Sequence, residues 1–240
     1  MKAVIDIVLL AILLHGAWSG YKKGLIMGIG GILCIVVSIY GANLLANTFS
    51  YDVVPALKPF AGGFVESRID GEGGVLEAMG WDDNDYSAAD LLEQYPERKA
   101  EFAQECFENL GIDSRSANVM AEEAIFHSAE SDDDMVDSVI HILCQRVSYV
   151  GCFVLAFLMI LIILTVIGNL PNLSYKIPHL DIVNDVMGVL LGIVNGAMLC
   201  AVLVWCLKFL GMIIGSGTLE DTILGGWFNK QDFLFKFLGL

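Results

Sequence analysis

Polar and apolar positions along this chain are sorted into blocks. Gly24 to Tyr51, Val147 to Tyr175 and Val186 to Leu207 each lack any Asp, Glu, Lys or Arg. A transmembrane helix needs roughly 20 mostly apolar residues, so each of these blocks predicts a membrane span. Ala3 to Ser19 is a shorter apolar run that carries Asp6 and His15. It reads as a further span. A secretory signal is the other reading, with Lys2 as its basic start and Ala17-Trp18-Ser19 as a cleavage-like site. A second apolar block follows at once, with no mature soluble segment between, which favours the span. The fold class expected is all-α: a polytopic membrane protein with four transmembrane helices and a helical acidic insertion between the second and third.

Between the second and third blocks the pattern changes to helical periodicity on a polar background. Gly62 to Asp85 is rich in Gly and Asp and reads as an irregular linker. Ser87 can cap a helix carrying Leu91, Leu92, Tyr95 and Phe102, which Pro96 would kink or divide. Ser114 can cap a second helix, with Val119, Met120 and Ile125 on one face. Ser131 followed by Asp132, Asp133 and Asp134 predicts the start of a long helix that runs into the third span, because acids complement the positive helix N-terminus. The organisation expected is a first helix pair (1–47), an acidic helical module (48–146), a second helix pair (147–215) and an interfacial tail (216–240). In that tail Trp227, Phe228, Phe233, Phe235 and Phe237 interleave with Lys230 and Lys236, a pattern suited to a bilayer surface.

Composition agrees with the block pattern: 56% of residues are hydrophobic and the mean hydropathy is +0.66. Charge adds a second feature. Of 28 acidic residues, 22 lie between Asp52 and Asp137, which with six basic residues leaves 48–146 at a formal net charge near −16. Such a surface repels nucleic acid and anionic lipid heads, so no nucleic-acid partner is expected. The acids lack calcium-loop spacing, and His15, His127, His141 and His179 lie on separate segments without zinc spacing. No nucleophile elbow, phosphate loop or paired-carboxylate motif is present in the sequence. We expect no enzyme, no metal and no cofactor.

The glycines carry a positive signal. Gly188, Gly192 and Gly196 recur every four residues, and Gly20, Gly24 and Gly28 do the same across the first connection. Small residues at that spacing let helix backbones approach closely, within one chain or against a second copy of it. Asp6, His15 and Asn195 are the polar groups inside spans and hence candidates for an ion or proton path. Lys22, Lys23 and Lys176 fall in the short connections, and placing these inside sends the termini and the acidic segment outward. Lys2, Lys58, Arg146, Lys230 and Lys236 lie on the opposite side, so basic residues alone leave orientation open.

The chain resembles the colicin V production family of membrane proteins. The residues that carry the likeness are Asp6, then Gly20, Lys22, Lys23 and Gly24, and later Asn184 with Gly188, Gly192 and Gly196. It covers about the first 50 residues and 147 to 215, leaving the acidic middle outside. Members often have Asp in place of Asn184 and a basic residue in place of Asn195. The resemblance implies four spans in a bacterial plasma membrane and an accessory or scaffold role in bacteriocin production or export and envelope homeostasis. Some relatives carry a protease outside the cytoplasm after the last span, which by analogy turns the acidic segment outward. A small transporter or channel is the alternative. The partners expected are the lipid bilayer, a second copy through the glycine faces, and an extracytoplasmic protein on the acidic module.

Overall fold

A computed structural model describes residues 2–81, 86–131, 133–169, 181–209 and 222–230. All regular structure among them is helical: α1 (Lys2–Ile69), α2 (Val75–Ala78), α3 (Ala88–Gln94), a 3₁₀ turn (Pro96–Arg98), α4 (Lys99–Asn109), α5 (Ser114–Ser131), α6 (Met135–Asn169), α7 (Asp181–Phe209) and α8 (Ile223–Asn229). Three of these, α1, α6 and α7, are long and apolar enough to cross a membrane. The backbone divides into two compact units. One comprises 1–46, 152–207 and 218–240, and the other 47–151 and 208–217.

In the first unit the governing feature is a break inside α1. At 1.5 Å per residue its 68 residues would measure about 100 Å, three times the hydrocarbon thickness of a bilayer. The helix is interrupted at Gly24, whose φ of 74° and ψ of −174° lie in a region open essentially to glycine alone. Contacts on either side show that the chain doubles back there. Before the break, Gly20 meets Gly188 and Gly192, and Gly16 meets Gly192 and Gly196, so this segment runs antiparallel to α7. After it, Gly28 meets Leu191 and Gly31 meets Asn195, so the next segment runs parallel to α7. Gly24 is therefore the tip of a helical hairpin seated on α7. Outward-facing positions of this unit are apolar: Leu14 is 62% exposed, Leu155 72% and Ile162 61%. A lipid environment covers such surface without cost.

The second unit has its own core. Val54, Val65 and Ile69 of α1, Phe102 and Phe107 of α4, Met120 and Ala124 of α5, and Met135, Val139 and Leu143 of α6 are all buried in one cluster. This core explains why α1 continues to Ile69 through Pro55 and Pro59, where the sequence suggested that irregular chain would begin at Gly62. Each proline removes one backbone hydrogen bond, but burial of Val65 and Ile69 offsets the loss. Ser87 and Asp90 form a reciprocal capping box at the start of α3, and Pro96 opens the 3₁₀ turn that separates α3 from α4. After α2, Gly80 at φ 72° allows Trp81 N–H to reach Leu76 O at 2.7 Å. This turn seats Trp81 in the core, where the Arg98 guanidinium lies 4.5 Å above its ring and donates to Met79 O.

Two helix boundaries differ from expectation. Ser131 ends α5 rather than starting α6: its hydroxyl donates back to His127 O at 2.6 Å. Asp134 takes the capping place, its Oδ1 accepting Met135 N–H at 2.6 Å. The buried face of α5 is Ala117, Met120, Ala121 and Ala124, while Val119 is 51% exposed. Cys106 and Cys144 are buried free thiols, and burial pushes the Cys106 thiol far above its ordinary range.

Candidate functional site: a glycine seam, two polar clamps and an intramembrane cavity

The seam follows from periodicity. Residues four apart lie on one helix face, so Gly16, Gly20 and Gly24 present a groove of backbone to the equal groove of Gly188, Gly192 and Gly196. The approach is close enough to exclude any side chain. A Cβ on Gly16 would lie 2.5 Å from Gly192 O, and one on Gly188 would lie 2.5 Å from Gly20 O and 2.9 Å from Gly24 Cα. Equivalent atoms on Gly20 and Gly192 would meet Gly188 O and Gly16 O. The obstacles are backbone atoms of rigid helices, so they cannot give way cheaply. Within one chain, then, the glycine face of α7 is covered by the first segment of α1. Further along the same line Leu9 is fully buried, and the Cys200 thiol donates to its carbonyl at 3.5 Å.

Polar side chains secure this packing. Because helical geometry stops at Gly24, Leu25 N–H has no carbonyl one turn back, and Asn184 Oδ1 accepts it at 3.0 Å. Asn184 is buried beside Gly24, where a Cβ would strike its amide. Asn195 Nδ2 donates to Gly28 O at 3.1 Å, while its Oδ1 is buried without a hydrogen bond among the described residues. Asp6 closes the opposite end: its Oδ1 and Oδ2 accept Leu224 N–H at 2.9 Å and Ile223 N–H at 3.0 Å. These are free amides of the first turn of α8, which Thr222 also caps through Gly226 N–H at 3.1 Å. Asp6 is thus a clamp on the α8 segment, and its lone pairs are directed at backbone. Phe228 of α8 is buried and Trp227 exposed. Phe233, Phe235, Phe237 and Lys236 lie outside the described residues, as do His179 and Lys176.

His15 takes no part in the seam. With Ser19 and Lys23 it lies at steps of four on a neighbouring face of the first segment, lining a cavity of about 750 Å³. The cavity is bounded by both segments of α1, the end of α6 and the middle of α7. Its other polar lining groups are Thr165 and Asn195. Lys22, next to Lys23 at the hairpin tip, is placed differently, with its ammonium 5.0 Å from the Trp18 ring centroid. Gly16 was missed from sequence although it extends the Gly20 to Gly28 series by one step. Gly31 breaks that series, and only the parallel run of the second segment brings it to Asn195.

The second unit holds one further pair absent from the sequence reading. His127 of α5 and His141 of α6 stack with ring centroids 4.3 Å apart. His141 Nδ1 is buried and without a hydrogen bond among the described residues, and no group of three metal-ligating side chains occurs among them.

The family model described as colicin V production protein matches residues 121–231. Over these residues, a little under half of the chain, it is similar to the colicin V production family. The match includes Asn184, the α7 glycines and α8, which are the surfaces that receive Gly24, Gly20 and Asp6 from α1. It also begins inside the acidic segment, at Ala121 on α5, earlier than the resemblance read from the sequence suggested. No curated protein and no solved structure matches the chain.

Proposed function

We propose that this chain is a non-enzymatic membrane protein of the colicin V production type, crossing the bacterial plasma membrane four times and acting as an accessory or scaffold in bacteriocin production or export and in envelope homeostasis. The observation that carries this reading is the use to which the intramembrane polar groups are put. Asp6, Asn184 and Asn195 each bind backbone and thereby lock helices together, instead of forming a relay. The hairpin at Gly24, together with α6 and α7, supports a reading of four crossings. The acidic segment then faces the extracytoplasmic side and offers a charged helical surface to a protein partner. Photo-crosslinkers placed within 87–130 in intact cells test this: a discrete captured partner is expected, and capture that persists without those residues would sink the idea.

A small transporter is the second reading, favoured by His15, Ser19 and Thr165 on the cavity wall. Flux in proteoliposomes that is abolished by His15→Ala would establish it over the scaffold.

A further inference from the structure

The cavity has a chemical polarity of its own, independent of the scaffold role. Among its described lining residues Lys23 is the one formal charge, and none is a carboxylate, in a chain whose formal net charge is −15. Lys23 makes no ion pair or hydrogen bond among the described residues. It stands beside the hairpin tip, with the Ser19 hydroxyl and the His15 imidazole one and two helical turns deeper on the same face. Past His15 that face continues as Ile12, Ala11 and Val8. From Lys23 to Val8 the helix rises about 22 Å, more than the roughly 15 Å hydrocarbon depth of one leaflet. Gly30 and Gly168 line the space, and a Cβ on either would meet nothing within 4 Å.

We propose that this cavity binds a single-chain anionic amphiphile, a long-chain fatty carboxylate, with its head at Lys23 and Ser19 and its alkyl tail along the apolar face toward Val8. Charge matching selects the class. One ammonium beside one hydroxyl suits a singly charged carboxylate, whereas a phosphate monoester, with up to two charges, would leave one unmatched. Volume selects one tail: about 750 Å³ lies in the range of single small-molecule sites. The apolar wall supplies the affinity by removing the tail from water during transfer, and the cation fixes which end is held.

The test uses the full chain in detergent with palmitate as probe, read by native mass spectrometry and by competition against a fluorescent fatty acid. Saturable binding of one palmitate per chain is expected. Hexadecanol should bind about tenfold or more weakly, and Lys23→Gln should weaken palmitate by a similar factor while leaving hexadecanol unchanged. Gly30→Trp should fill the space and abolish binding, while Gly151→Trp, which adds the same bulk at an open glycine away from the cavity, should not. Thermal melting confirms that each variant folds, and the Lys23→Gln result stands without the tryptophan variants. Palmitate bound no tighter than hexadecanol, lysophosphatidate preferred over palmitate, or Lys23→Gln binding palmitate as the parent does would each overturn the proposal.

Discussion

At the scale of single residues, glycine and three polar side chains decide the membrane unit. Gly192 is held against Gly16 O and Gly20 Cα, both backbone, so Gly192→Leu has nowhere to place its side chain. Overpacking of this kind costs about 1–3 kcal/mol and here separates the two helices. Gly30→Ala is the matched control, because its Cβ enters open space and alanine is the better helix former by about 1 kcal/mol. Chemical denaturation in detergent should show the first variant destabilised and the second unchanged or more stable. Asp6 gives a local prediction: Asp6→Ala removes both acceptors from the Ile223 and Leu224 amides. Hydrogen exchange at these two amides should accelerate, with exchange in the centre of α7 unaltered.

At the scale of elements, α6 does two jobs along its length. Its 35 residues rise about 52 Å, well beyond the roughly 30 Å of a hydrocarbon core. The portion from Val147 onward is free of charge and long enough to span. The portion before it, with Asp137, His141 and Arg146, packs in the second unit, where Arg146 pairs with Glu123 of α5. That pair is partly exposed and contributes little. The His127–His141 stack is of more consequence. Desolvation, with smaller contributions from His127 and Lys58, holds the His141 pKa below the ordinary histidine value of 6.5, and Asp133 opposes this weakly. The unfolded chain therefore takes up the proton first as pH falls. Stability is fully present above the ordinary value and is lost as pH drops through it, the loss levelling off below the folded-state pKa. Denaturation between pH 7.5 and about 5 should show this decline, and His141→Gln should flatten it. An equal slope in both proteins would remove His141 as its source.

At the scale of the whole molecule, orientation is the property that governs function. Cys106 is a poor reporter of it, being 1% exposed with its thiol pKa raised by burial. Phe126 on α5 is 69% exposed, so Phe126→Cys in a background without the native cysteines places a reactive thiol on the acidic segment. With that segment outside the cytoplasm, an impermeant maleimide should label it in intact cells. Protection until lysis would reverse the topology.

The sequence by itself determined the membrane class and the charge partition, because bilayer thickness and water solvation act on composition over windows of about 20 residues. It also marked Gly20, Gly24, Gly188, Gly192 and Gly196 as close-approach positions, since small-residue spacing is local. Ser87 and Pro96 marked helix boundaries for the same reason. Which glycines meet, and that Gly24 reverses the chain while Gly20 packs, depended on residues more than 150 positions apart. The same is true of Asp6, which in the sequence is an acid in an apolar run and in the fold is the partner of two amides at 223 and 224. Local pattern fixes what a residue needs, a dry neighbour or a hydrogen bond. Only the tertiary structure decides which distant backbone supplies it.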